Sequence, residues 1–95
     1  MSLASVGTVV DTIVRALGDA GVSGDVEVRI ATTGVVIEPA PQADDLAWRI
    51  ALVTVEDLLD GHRVADFRGR TVHVSGAIDG VPVTATTPSR MEVAG

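Results

Sequence analysis

The chain has no cysteine, no lysine, no asparagine and no tyrosine, and it has one Trp and one Phe among 95 residues. Without cysteine there are no disulfides, no thiolate metal sites and no thiol nucleophile. With so few aromatics the core must be aliphatic, built from the Val, Ile, Leu and Ala that raise the hydrophobic share to 46%. No run approaches the ~20 apolar residues of a membrane-spanning helix. The first residues lack the basic start and unbroken apolar stretch of a signal peptide, because Asp11 interrupts the only candidate run. The expectation is a cytoplasmic protein with no membrane partner.

Positive charge is also scarce. Seven basic side chains, all Arg, stand against thirteen Asp and Glu, for a net charge of −6. Such a balance excludes general nucleic-acid binding, which needs concentrated positive charge against phosphate. The acid is unevenly placed. Residues 1–61 hold ten acids and three Arg, whereas residues 62–95 hold three acids and four Arg.

What is present reads as one small α+β domain over residues 1–87, with a flexible tail over 88–95. A chain this short buries only about two-thirds of its surface, so partner contacts would help it. Residues 3–20 read as a one-sided helix. Leu3, Val6, Val9, Val10, Ile13, Val14, Leu17 and Ala20 share its apolar face, and Gly21 stands where it ends. Gly18, Gly21 and Gly24 recur every third residue. A phosphate-cradling loop needs a strand before and a helix after, and the order here is reversed, so they read as a stop and a turn.

Residues 25–31 alternate, with Val26, Val28 and Ile30 inward. A Thr33-Gly34 turn then sets Ile30 opposite Ile37 and Arg29 opposite Glu38. Pro39–Gln42 reads as a stiff linker. The second helix spans Asp44–Gly61, capped by Asp44 or Asp45 and stopped by Gly61. It carries two apolar stripes. Trp48, Ala51, Leu52, Val55, Leu58 and Leu59 form one, suited to a core, and Leu46, Ile50 and Val53 form another on nearly the opposite side. The second stripe either packs within the chain or meets another copy of it.

Beyond Gly61, Val64 and Phe67 read as anchors in a short edge strand. Residues 71–78 alternate again, and Asp79-Gly80 is the strongest hairpin signal in the chain. It sets Ile78 opposite Val81 and Val74 opposite Ala85. Pro82 then puts the return strand at an edge, or turns its nitrogen away from the ladder. The predicted order is α-β-β-α-β-β, a mostly antiparallel sheet of four or five strands with two helices on one face.

One stretch is locally basic: His62, Arg63, Asp66, Arg68, Arg70 and His73. Its Arg forks could hold a phosphate or carboxylate. Equally, they could lie in a solvated loop and pair with the acids of the second helix. The two His residues lack zinc spacing. Ser75 shares a face with His73, but no strained elbow surrounds it. Asp44, Asp45, Glu56, Asp57 and Asp60 lack the loop pattern of a hard-cation site. No cofactor or metal is implied. The leading expectation is a non-catalytic interaction or assembly module, homodimeric through Leu46, Ile50 and Val53. The alternative is a binder of a small anion, or a small enzyme, built on His62, Arg63, Arg68, Arg70 and His73.

Overall fold

A computed structural model describes residues 3–88. The elements are α1 (Leu3–Asp19), β1 (Val26–Ala31), β2 (Gly34–Pro39), α2 (Asp45–Leu58), β3 (Asp60–Phe67), β4 (Arg70–Ile78) and β5 (Val81–Thr86). The five strands form one sheet in the order β1-β2-β5-β4-β3. All neighbours are antiparallel except β2 and β5, which run parallel. Both helices pack on one face, α1 against β1, β2 and β5, and α2 against β4 and α1. This is the expected α+β architecture, with one strand more than the predicted order. The expected tail at 88–95 falls, from residue 89 onward, outside the described residues.

The core lies between the helices and the sheet. Val6, Val9, Ile13 and Leu17 of α1 and Trp48, Ala51, Leu52 and Val55 of α2 enter it from above. Val35, Ile37, Val74, Val81, Val83 and Ala85 enter it from the sheet. Val14 does not join them and stays 46% exposed. The α1 helix stops as predicted, with Gly21 at φ 78°. The Val22 N–H reaches back to the Leu17 carbonyl at 3.0 Å, the closing bond of a left-handed C-terminal stop.

Several expectations need correction. The first hairpin is slipped, because its turn is Thr32-Thr33 and not Thr33-Gly34. Val28 therefore lies opposite Ile37 and Ile30 opposite Val35, and Ile30 is 59% exposed. The Arg29–Glu38 ion pair survives at 2.6 Å, but diagonally. Gly34 starts β2 for a reason outside the hairpin. Its φ is +145°, and a Cβ there would sit 2.2 Å from the Pro82 carbonyl oxygen. Only glycine lets β2 approach β5 so closely. Pro39 ends β2 instead of starting a linker. The α2 helix ends at Leu58, so Gly61 does not stop it but lies in β3 with φ 61°.

The Asp79-Gly80 turn is as predicted. Both residues have positive φ, 50° and 78°, as a primed two-residue turn requires. Ile78 lies opposite Val81 and Val74 opposite Ala85. Pro82 is not on an edge strand, since β5 is central. The closing Ile78–Val81 pair exchanges hydrogen bonds in such a turn, so at the next pair the Pro82 nitrogen faces away from β4. The edge strands are β1 and β3, and β3 is eight residues long, with register shifts between Asp60 and Arg63 and between Ala65 and Asp66. Val64 and Phe67 do not anchor it, being 40% and 54% exposed.

Candidate functional site

The β3–β4 hairpin carries the basic stretch, and strand alternation divides it. Arg63 lies opposite Ser75, and His73 lies opposite Ala65. These two side chains share the open face of the sheet as diagonal neighbours, roughly 7–8 Å apart at Cα. The His73 Nδ1 is 3.2 Å from the Thr86 hydroxyl. His62 and Arg70 lie on the other face, toward α2. The bulge near Gly61 keeps His62 there, where its Nε2 is 3.2 Å from a Glu56 carboxylate oxygen. Arg70 donates to Asp45, and Arg49 holds the second oxygen of the same carboxylate at 2.9 Å. Arg68 sits at the hairpin tip with φ 52°, its guanidinium 5.2 Å from the Phe67 ring centre. The structure thus pairs Arg63 with His73 on one face, sets His62 and Arg70 on acids of α2 on the other, and leaves Arg68 apart from both.

Between α2 and the hairpin tip lies a pocket of about 240 Å³, open to solvent and lined by Asp45, Trp48, Arg49, Leu52, Glu56 and Arg70. Two cations and two carboxylates share its wall, so its charges are matched among themselves. Trp48 forms its floor and is 1% exposed. The indole N–H donates to the Thr87 hydroxyl at 2.8 Å, and that hydroxyl donates to the Thr71 carbonyl at 3.0 Å. The Thr87 N–H donates to the Val72 carbonyl at 2.9 Å. This chain of bonds satisfies the one polar atom of a buried Trp and ties the end of β5 to β4 under α2. Thr87 carries no pattern signal in the sequence. The only pointer to it is the general need of a buried indole for an acceptor.

On the helix surface the second stripe is exposed. Leu46 is 67%, Ile50 39% and Val53 59% exposed. Asp44 caps α2 by accepting from the Ala47 N–H at 2.7 Å, which fixes where the helix begins and so which way each residue points. On a 100° step the three residues lie opposite the buried Trp48, Ala51, Leu52 and Val55, so they point away from the sheet. No group of three or more His, Cys, Asp or Glu side chains among the described residues is placed to hold a metal ion. No described helix is long and apolar enough to cross a membrane. No protein-family model, curated protein or solved structure matches this chain.

Proposed function

We propose that the chain is a non-catalytic interaction module that associates with a second copy of itself through the outer stripe of α2. The observation that carries this is the exposure of Leu46, Ile50 and Val53 together on a helix whose opposite side already fills the core. Burying an aliphatic side chain of this size gains about 1.5–3 kcal/mol. Six of them across a two-fold axis would offset much of the roughly 4–15 kcal/mol that association costs. The alternative, an anion site on His62, Arg63, Arg68, Arg70 and His73, needs these groups to converge. Their division between two sheet faces favours the interaction reading.

The test is Ile50→Asp. Its side chain lies outside the core, so the circular dichroism of the folded chain should be unchanged. The particle mass by light scattering should fall to half. A parent that runs at the mass of one chain would overturn the reading. So would an Ile50→Asp variant of undiminished mass.

A further inference from the structure

The strand β1 closes one side of the sheet with an intact edge. It pairs with β2 in unbroken register from Val26–Pro39 to Ala31–Gly34. It holds no proline, no glycine and no bulge, features that spoil an edge for further pairing, and its two charges, Glu27 and Arg29, are of opposite sign. The Asp25 carbonyl accepts from the Ala40 N–H at 2.9 Å, continuing the ladder with β2. The backbone groups of Glu27, Arg29 and Ala31 therefore also point at β2, and those of Val26, Val28 and Ile30 point outward. Beyond the strands, no backbone hydrogen bond among the described residues reaches those three.

The side chains add a second observation. Glu27 lies directly opposite Glu38, a like charge. Arg29 already holds Glu38, and Glu27 makes no ion pair with a described residue. On the helix face Ile30 is 59% exposed, although alternation places it with the half-buried Val26 and Val28.

We propose that β1 pairs antiparallel with β1 of a second copy, about a two-fold axis at Val28. In that register Glu27 lies opposite the partner's Arg29, and Arg29 lies opposite the partner's Glu27. Val28 meets its own counterpart, and Ile30 meets the partner's Val26. The outward groups of Val26, Val28 and Ile30 exchange about six hydrogen bonds across the seam. Moving the axis by one residue sets Glu27 on Glu27 or Arg29 on Arg29, so charge selects the register. The axis stands perpendicular to the sheet, so the five strands of each chain join into one continuous sheet with both helix layers on the same side. This contact does not involve the α2 stripe. A chain bearing both isologous contacts forms a closed tetramer or an open run of copies.

The experiment measures mass by light scattering in an Ile50→Asp background, where the α2 contact is removed; Leu46→Asp serves as a second background if needed. Two further variants are made on it, Glu27→Arg and Arg29→Glu. Both sites are exposed, and a surface ion pair contributes little to folding, so both variants should stay folded. The background chain should run as a dimer. Each charge variant alone should run as a monomer, because its seam faces like charges. An equal mixture of the two should recover the dimer, because their charges match each other. If the Ile50→Asp chain is monomeric while the parent is dimeric, the β1 pairing is overturned and the α2 reading stands. If the parent and Ile50→Asp are both dimers and the charge variants break both, β1 pairs and the α2 reading falls. A dimer indifferent to both charge variants also overturns the pairing at β1. A monomeric parent overturns both contacts.

Discussion

At one edge of the sheet β1 runs six residues without interruption, while at the other β3 runs eight and is interrupted twice. The β1 strand alternates cleanly, with Glu27 and Arg29 on one face and Val26, Val28 and Ile30 on the other. The first shift sets two residues of β3, Gly61 and His62, against Gly76 alone, and the second leaves Val72 of β4 without a partner between the Ala65–His73 and Asp66–Thr71 pairs. The extra residue at Gly61–His62 breaks the even spacing of outward N–H and C=O groups that a new strand would need, and the second irregularity bends the pairing beside it. Asp60, His62, Arg63 and Asp66 add charge along the same edge. Both strands end the same sheet, but only β1 presents a regular template. Exposure alone therefore does not define a docking edge, because all eight residues of β3 are exposed. Regular spacing and self-matching charge are what distinguish β1.

Detaching the β1 side from the rest of the sheet should do the most damage. Gly34 joins the β1–β2 hairpin to β5, and any side chain there meets both an unfavourable φ and the Pro82 carbonyl. Gly34→Val should cost roughly 3–5 kcal/mol, the sum of strained backbone and overpacking. That is a large share of the ~5–15 kcal/mol that holds a domain folded. Denaturant titration should show the loss. Hydrogen exchange should show residues 26–31 losing protection before residues 70–78. A variant as stable as the parent would mean that the close approach of β2 to β5 is wrong.

The next effect falls on the opposite side of the sheet. Thr87→Val keeps the shape of the side chain but removes an acceptor from Trp48 and a donor from the Thr71 carbonyl. Leaving buried polar groups without partners costs about 1–3 kcal/mol. Trp48 is the only Trp, so its fluorescence reports the change directly. An unchanged emission maximum together with unchanged stability would show that the Trp48–Thr87–Thr71 chain is not formed. Gly80→Val should cost about 1 kcal/mol or more, because a β-branched residue tolerates φ 78° badly. A melting curve like that of the parent would misplace the β4–β5 turn.

Where local chemistry decided the structure, the sequence was readable. Asp79-Gly80 announces a primed turn because both residues accept positive φ, and the alternation on either side agrees with it. Both stripes of α2 follow from the helical period alone. Arg68-Gly69 adopts a similar backbone, with φ 52° and 77°, but its sequence does not announce a turn as Asp-Gly does. The irregular pairing beside it blurs the period-two pattern, so β3 is legible as a short edge strand but not in its length or register. The turn of the first hairpin lies one residue earlier than expected, which moves its pairing by two residues, for a different reason. Gly34 looks like a turn residue, but its conformation answers to Pro82, far along the chain, and no local pattern records that contact. The basic stretch misled in a third way. Residues close in sequence on a hairpin alternate between faces, so proximity along the chain did not become convergence in space. The β1 edge was legible as a strand, but its position at the end of the sheet depended on the parallel β2–β5 pairing.

The smallest predicted change in stability separates the two edges most cleanly. Ile30 and Val64 are both aliphatic, both on the helix-facing side of an edge strand, and 59% and 40% exposed. Replacing either by Lys should alter stability by less than about 0.5 kcal/mol, as for most exposed positions. Their effects on association should differ. In the two-fold seam Ile30 lies beside the partner's Val26, so Ile30→Lys places two cations in a row that should be apolar. The seam repeats the change, so the charge is met once at each end. Val64 lies on an edge whose bulges already prevent pairing, so Val64→Lys should leave the mass untouched. In the Ile50→Asp background, Ile30→Lys should therefore shift the chain toward monomer at concentrations where Val64→Lys remains dimeric. The reverse result would make β3 the pairing edge and show that two bulges do not protect a strand of this length. Equal loss of mass in both variants would show that association follows exposed apolar area and not the regularity of the edge.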